Sequence, residues 1–352
     1  MRIVKSLSPF VSALAALAML ATGFSASAQV RPFRRLTREP GAVDYWPRFS
    51  PNGKTVLFSR CEISSGCGGS STSGYWTLWT IPTKGGKERE LLALDGVSAT
   101  RANWLWNPSV TSGQIAFTGV ETSEGHALGL WTVNPDGSGA VQVPLPQPVG
   151  PPSYPSWFPD GGSVAVTGVA AGATGPHLSQ VAIASGDLML TLSLPSAIWT
   201  GEPAVTHDGS AVAVAAQQPI AGQKYNDANN QIWIESVGDA ETQNLGLHPL
   251  DGLQSRAPDW SPDDHFLIFE SNRGCVNGNY AIFIEVASGA KAVQATDCAL
   301  NANHAVWSPD GKGFAFSYAF GNPNAGKCAG GGCRGIAIAP VPARIRRLST
   351  AD

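Results

Sequence analysis

Six copies of one short motif, an alternating strand after each copy and the lack of a helical period predict an all-β fold, namely a six-bladed β-propeller of four-stranded antiparallel blades. The composition agrees with this fold class. The 352 residues include 40 Gly and 26 Pro, and only 14% of them are charged. Many turn-forming residues with little charge are typical of a chain with many short strands and loops.

The motif begins with an aromatic or apolar residue, continues through a small residue, often Pro, to an acid or Asn, and usually ends in Gly. Its six copies are Phe49–Gly53, Trp106–Pro108, Trp157–Gly161, Val205–Gly209, Trp260–Asp264 and Trp307–Gly311. Their first residues are 57, 51, 48, 55 and 47 residues apart, slightly more than the about 40–45 residues of a common propeller blade. We expect blades to begin near residues 44, 101, 152, 200, 255 and 302.

Two further strands follow each motif copy. The predicted second strands are 55–59, 114–118, 163–167, 211–215, 266–270 and 314–318, and the predicted third strands are 78–81, 130–133, 181–183, 232–234, 282–284 and 336–338. The motif is then a hairpin turn between the first and second strands. Four copies have Pro just before the motif, which suits a first strand at the channel edge of its blade. We interpret the motif tryptophans as wedges between blades rather than as platforms for carbohydrate.

Hairpins such as Trp307-Ser308-Pro309-Asp310-Gly311, together with strands such as Leu130-Trp131-Thr132-Val133, resemble the WD40-like propeller repeats of the TolB type. The resemblance covers nearly the whole chain after residue 28. It implies a periplasmic or surface propeller that binds other proteins or peptides over one face or channel mouth. TolB carries a separate α/β domain before its propeller, whereas only about a dozen residues precede the first predicted blade here. Roles that depend on that domain are therefore not implied.

The first 28 residues are predicted to be a secretory signal. Arg2 and Lys5 supply positive charge, residues 10–24 are almost wholly apolar, and Ala26-Ser27-Ala28 provides the small residues that signal peptidase reads. We expect cleavage before Gln29, a periplasmic or secreted protein, and a single propeller domain over residues 29–352. A membrane anchor is the alternative, but the apolar run is shorter than the roughly 20 residues that span a bilayer. No later segment is apolar enough to span a membrane, so no span is expected after cleavage.

Two terminal segments resemble the fourth strand of a blade. They are residues 33–37 and residues 345–349, and with them the chain has seven candidates for six positions. Both segments are basic, so pairing them side by side would bring like charges together. We expect residues 345–349 to complete the sixth blade, with residues 33–37 added outside it or lying on the surface.

Function is expected on the face that carries the loops between second and third strands. These loops are long and varied, covering residues 60–74, 121–127, 169–179, 217–230, 271–279 and 319–334, whereas the motif turns on the opposite face are short. All six cysteines map to the loop face. An even number in an exported protein implies disulfides, and proximity in the chain favours Cys61–Cys67, Cys275–Cys298 and Cys328–Cys333. A metal site is the alternative, but the spacings do not match a paired zinc pattern.

The mouth of the central channel is expected on the same face. Three residues before the motif lie Trp46, Asn103, Tyr154, Glu202, Ala257 and His304, and near them lie Asp44, Tyr45, Arg101, Arg256 and Asn303. Polar and aromatic groups from different blades would converge at the axis and form a ligand-binding site. The alternative is that they only fill or solvate a water-lined channel.

The leading functional prediction is non-catalytic binding of an envelope protein or peptide by a monomer without a cofactor. The sequence has no Gly-x-Ser-x-Gly elbow, phosphate loop or His-Glu-x-x-His motif. Propeller lyases that act on acidic oligosaccharides gather histidines and a metal at the channel mouth, so His126, His177, His248 and His304 make such a lyase the alternative. A structural surface protein is the third reading. A net charge of −3, with no Lys or Arg between Arg101 and Lys224, argues against nucleic acid as a partner.

Overall fold

The computed structural model describes residues 32–67, 74–107, 114–122, 128–146, 152–168, 177–193, 199–217, 230–238, 253–287, 292–321 and 332–348. Within these ranges the chain is all-β, with two short 3₁₀ turns and one α-helix, α1 (Ala343–Leu348). The candidate signal sequence and its cleavage site lie outside them. In the described part, no helix is long and apolar enough to cross a membrane.

The strands form six units of consecutive antiparallel strands, after a two-residue strand β1 (Arg34–Arg35). The first three units are β2 (Ala42–Phe49), β3 (Thr55–Glu62), β4 (Trp76–Pro82) and β5 (Arg89–Leu92); β6 (Val97–Trp104), β7 (Ile115–Glu121), β8 (Leu128–Val133) and β9 (Val141–Gln142); and β10 (Ser153–Trp157), β11 (Ser163–Thr167), β12 (His177–Ala182) and β13 (Leu188–Ser193). The last three are β14 (Trp199–Val205), β15 (Ala211–Gln217) and β16 (Asn230–Ser236); β17 (Ser255–Trp260), β18 (Phe266–Ser271), β19 (Ala281–Val286) and β20 (Val293–Gln294); and β21 (Asn303–Trp307), β22 (Gly313–Phe320) and β23 (Cys333–Pro340).

The first strands of the units lie next to one another in chain order. Strand β2 contacts β6, β6 contacts β10, β10 contacts β14, β14 contacts β17, and β17 contacts β21. Strand β21 in turn contacts β2, and one parallel bridge joins Val43 of β2 to Arg334 of β23. The last unit is therefore in contact with the first.

The sixth unit takes its fourth strand from the N-terminal segment. Strand β1 pairs with β23 in antiparallel register, with Arg34 opposite Ile338. Residues 345–348 lie in α1 instead of a strand, so the expectation that the C-terminal segment completes the sixth blade was wrong.

Side chains on both sides of β1 explain this outcome. Phe33 packs against Phe316 and Tyr318, with ring centroids 6.0 and 5.8 Å apart. Thr37 Oγ1 accepts a hydrogen bond from the backbone N–H of Ile336 at 2.8 Å. After β23, Pro342 has no N–H to give to a ladder, and its carbonyl accepts from the first turn of α1. The C-terminal segment therefore leaves the sheet.

Each first strand carries the same β-bulge. Its pairing with the second strand shifts register, and the residue at the shift has a left-handed backbone. These residues, which we call the bulge ring, are Trp46, Arg101, Tyr154, Glu202, Ala257 and His304, with φ of 54°, 53°, 55°, 57°, 48° and 51°. A positive φ is uncommon for residues other than Gly. Its recurrence in six strands marks the bulge as a shared structural element that re-aims a side chain.

The bulges correct the predicted repeat in the second unit. Arg101 holds the position that Asn103 was expected to hold, and the residue that opens the motif is accordingly Trp104 rather than Trp106. The backbone N–H of Leu105 donates to the carbonyl of Gln114 at 2.8 Å, the bond that closes the motif turn in the other units. More residues separate the two ends of this bond than in the other units. Trp106-Asn107-Pro108 resembles the start of the usual motif, but it lies two residues after the position at which the motif begins.

The motif tryptophans pack between neighbouring units. Trp104, Trp157, Trp260 and Trp307 are each no more than 8% exposed. The indole Nε1 of Trp157 donates to the carbonyl of Asn103 in the preceding unit at 3.1 Å, and that of Trp260 donates to the carbonyl of Ala204 at 2.9 Å. These contacts support their interpretation as wedges between units.

Candidate functional site

The bulge ring lines one small cavity where the first strands meet. The cavity has a volume of about 20 Å³, and all six ring residues contribute to its wall, together with residues that follow them in the same strands. Trp46 also packs against Cys61 and Trp76, which lie at the start and end of a loop between second and third strands. The ring is therefore at the loop-face end of the channel.

Side chains of neighbouring units hold the ring backbone. A bulge releases the N–H of its first residue from the ladder, and in three ring residues this N–H reaches the preceding unit. The bonds are Tyr154 N to Thr118 Oγ1 at 3.2 Å, Ala257 N to Glu202 Oε2 at 2.7 Å, and His304 N to Glu270 Oε2 at 2.8 Å. The left-handed conformation is thus stabilised between units, and the side chains are positioned before any ligand binds.

A charged cluster lies on one side of the bulge ring. His304 Nε2 lies 3.3 Å from Glu202 Oε1, and Arg256 Nη2 lies 2.8 Å from Glu270 Oε1. Burial opposes ionisation of Glu202, but the hydrogen bond and charge of His304 and the charge of Arg256 outweigh it and lower the pKa of Glu202 to about 2. Burial likewise opposes the positive charge on Arg256, but the negative charges of Glu270 and Glu202 outweigh this effect and raise the pKa of Arg256. The cluster therefore carries both signs of charge at neutral pH.

Aromatic rings and a stacked guanidinium lie on the other side of the bulge ring. The guanidinium of Arg101 lies 4.2 Å from the ring centroid of Tyr154 and 5.7 Å from that of Trp46. Tyr45 lies 5.4 Å from the ring of His304 and 5.2 Å from that of Trp46. Flat aromatic surface beside fixed charges is suited to recognition of a peptide.

The structure brings together most of the predicted site residues. Tyr45, Trp46, Arg101, Tyr154, Glu202, Arg256 and His304 surround the loop-face end of the channel. Trp46 is only 6% exposed, so its ring supports the predicted binding site from behind and has little surface for a ligand.

Three predicted site residues lie elsewhere. Asp44 is fully buried, 2.6 Å from Arg60 Nε, and it also accepts a hydrogen bond from Thr37 at 2.5 Å, so it anchors the N-terminal segment rather than lining the mouth. Asn103 lines a second cavity at the other end of the channel. Asn303 is buried and accepts a hydrogen bond from Arg334.

Two residues of the channel were missed from the sequence. Glu270 is fully buried in a strand that is otherwise mostly apolar, and a carboxylate in such a strand needs a charged partner. Arg48 follows the ring position by two residues and lines both cavities of the channel. The alternation of side chains along β2 could have indicated it.

Two of the three predicted disulfides are formed in the structure. They are Cys61–Cys67 and Cys275–Cys298, with Cα atoms 6.1 and 5.4 Å apart. Cys333 is also disulfide-bonded, and its predicted partner Cys328 lies outside the described residues. Disulfides persist in oxidising compartments, so these bonds fit an exported protein.

The histidines considered for a metal do not meet in the described part of the chain. His177 begins β12 and is buried, His304 belongs to the ring, and His126 and His248 lie outside the described residues. Across the described ranges, no group of three or more His, Cys, Asp or Glu side chains is arranged to hold a metal ion.

Comparison with known proteins identifies the fold. No family model matches the sequence, and no curated protein matches it. A solved TolB-like protein from Agrobacterium tumefaciens superposes with a TM-score of 0.57 at 14% identity, over 89% of this chain and 100% of that one. The fold is that of TolB-like β-propellers.

Two other solved structures extend the comparison. TolB from Acinetobacter baumannii gives a TM-score of 0.54 at 17% identity over 86% of this chain, which spans 64% of the TolB chain. An oligogalacturonate lyase in complex with manganese gives 0.51 at 15% identity, over 91% of this chain and 96% of that one. Since TolB and a lyase share the fold, the likeness shows architecture and not function.

Proposed function

We propose that this protein is an exported, six-bladed TolB-like propeller that binds an envelope protein or peptide at the loop-face mouth of its channel, without catalysis. The observation that carries the proposal is the bulge ring. Six strands have an unusual backbone conformation at equivalent positions. This conformation turns aromatic and charged side chains towards one end of the channel, and backbone strain of this kind is most often found at functional sites.

A closed propeller over residues 29–352 is part of this proposal. The cycle of contacts between first strands supports it, as does β1, which supplies the outer strand of the sixth unit from the other end of the chain. Export after cleavage before Gln29 is supported by the disulfides on the loop face. We also propose that the protein acts as a monomer and has no nucleic-acid partner.

The make-up of the ring favours recognition over catalysis. Tyr, Trp and Arg are the residues that most often dominate the energy of protein interfaces. The ring provides Tyr154, with Trp46 and Arg101 packed beside it, next to the contact between Glu202 and His304. It provides no Ser, Thr or Cys that could act as a nucleophile. The cavity of about 20 Å³ is too small for a side chain to enter deeply, so we expect the partner to cover the mouth.

Affinity capture from a periplasmic extract tests this function. The tagged mature protein should retain a specific envelope protein, and Tyr154→Ala or His304→Ala should lose it. Asp310→Asn is the matched control, because this residue lies in an exposed motif turn on the opposite face. Capture that persists in both ring variants contradicts the proposal. Manganese-dependent cleavage of an acidic oligosaccharide by the purified protein would favour the lyase instead.

A further inference from the structure

A second cavity lies at the opposite end of the same channel. It has a volume of about 70 Å³, and its wall includes Arg48, Asp259 and Trp307 together with His207 and Pro309 of the motif turns. The turn residues place this cavity at the turn face, away from the loop-face mouth. Arg48 lines both cavities and therefore stands between them.

Arg48 brings a charge without a carboxylate partner into this cavity. One guanidinium nitrogen donates to the carbonyl of Pro47 at 3.2 Å, whereas Nε is buried and meets no acceptor in the described part of the chain. Burial lowers the pKa of Arg48, and the more distant charges of Asp259 and Glu202 oppose this effect. A guanidinium stays protonated in proteins, and a buried charge is unfavourable unless it is paired.

Trp307 contributes a second unused donor. Its indole Nε1 is buried and has no acceptor among the described residues, whereas Trp157 and Trp260 donate to carbonyls of the preceding unit. The backbone N–H of Trp307 donates instead to Asp259 Oδ2 at 2.8 Å. Asp259 is therefore engaged by the sixth unit and forms no ion pair with Arg48.

Arg48 Nε and Trp307 Nε1 are thus two buried donors without an acceptor among the described residues, and the first is cationic. A ligand that only accepts hydrogen bonds would satisfy both. A carboxylate matches the fork of a guanidinium and forms strong bonds with it. One water needs about 10–15 Å³ of such space, so a cavity of about 70 Å³ holds a carboxylate and little more. We propose that the turn-face cavity binds a carboxylate group, from a free acid or an acidic peptide, with Arg48 as its ionic partner and Trp307 as its second donor. This site does not depend on the loop-face mouth.

Nuclear magnetic resonance of the full mature protein with ¹⁵N-labelled tryptophan tests the site. The Trp307 indole signal is assigned with Trp307→Phe, and sodium acetate is titrated at pH 7 and constant ionic strength. We expect a saturable shift of this signal with a millimolar Kd, and no shift with acetamide. An acetylated and amidated Ala-Asp-Ala peptide, compared with Ala-Asn-Ala, shows whether a peptide carboxylate can enter or only a free acid.

Matched variants complete the experiment. Arg48→Gln should weaken acetate binding at least about tenfold, while Arg89→Gln, which removes the same charge on an exposed outer strand, should not. Asp259→Asn should bind acetate at least as tightly as the parent, because it removes a carboxyl group that lines the cavity but retains an oxygen for the N–H of Trp307. This variant keeps the test decisive even if Arg48→Gln fails to fold. The absence of a saturable shift with either acetate or the aspartyl peptide up to about 100 mM, or weaker acetate binding in Asp259→Asn than in the parent, overturns the proposal.

Discussion

Asp264 Oδ1 lies 2.7 Å from His207 Nδ1 and ties the motif turn of the fifth unit to that of the fourth. The same carboxylate accepts the backbone N–H groups of His207 at 2.9 Å and Asp208 at 3.2 Å. Asp264 has a φ of 56° at the turn position that is Gly in four other units. These hydrogen bonds offset the strain of a side chain at this position.

Replacing Asp264 with Gly should therefore destabilise the protein. The change removes about 1 kcal/mol of backbone strain, but it also removes hydrogen bonds that contribute about 0.5–1.5 kcal/mol each. We expect a net loss of about 1 kcal/mol in the free energy of unfolding, measured with urea, and a smaller loss for Asp264→Asn. A Gly variant as stable as the parent would show that the contact between the two turns contributes nothing.

Glu202 should make the protein sensitive to acid. Its pKa falls from 4.5 to about 2 on folding, so its ionised form stabilises the native state fully above about pH 4.5. That contribution is lost as the pH falls towards 2, and it is at most about 3 kcal/mol. The stability difference between the parent and Glu202→Gln should shrink over this interval. A carboxyl carbon signal of Glu202 that titrates near pH 4.5 in the folded protein would contradict the prediction.

Glu235 should have the opposite effect. Burial raises its pKa to about 7, and its side chain is 1% exposed with Oε2 unpaired within the described ranges. The folded protein holds this proton above pH 4.5, where the unfolded chain has released it, so stability falls as the pH rises towards 7. Glu235→Gln should gain up to about 3 kcal/mol over the parent between pH 4.5 and 7. Parallel stability profiles for the two proteins would exclude this effect.

Two tryptophans of the second unit test the corrected repeat. Trp104 is 8% exposed and opens the motif, whereas Trp106 lies beside His207 with ring centroids 4.0 Å apart. Trp104→Ala should lower the free energy of unfolding by about 3–5 kcal/mol, because it leaves a cavity between units. Trp106→Ala should cost about 1–2 kcal/mol, since its ring is partly exposed. The reverse order of thermal midpoints would restore Trp106 as the motif residue.

Local sequence patterns predicted the strands well, because the hydrogen bonds that close each motif turn join residues that are close in the sequence. Long-range contacts decided the rest. The fourth strand of the sixth unit depends on a hydrogen bond between Thr37 and Ile336, which are 299 residues apart. The same N-terminal segment buries Asp44, which the sequence alone placed at the channel mouth.

The bulge ring shows a second limit of sequence reasoning. Left-handed backbone is usually marked by Gly or Asn, but the ring positions carry side chains as different as Trp46 and Glu202. In three of them, Tyr154, Ala257 and His304, a side chain of the preceding unit accepts the backbone N–H and stabilises this conformation. It was predictable only through the common spacing to the motif, and that spacing failed where Trp106 imitated Trp104.

The affinity of the captured partner for ring variants tests the central claim most directly. Isothermal calorimetry would compare the parent with Tyr154→Ala, His304→Ala and the turn-face control Asp310→Asn, after thermal unfolding has shown that each is folded. We expect each ring variant to lose at least about 2 kcal/mol of binding free energy, about a thirtyfold rise in Kd, and the control to lose less than about 0.5 kcal/mol. Unchanged Kd values in both ring variants, or a loss confined to Asp310→Asn, would contradict binding at the loop-face mouth.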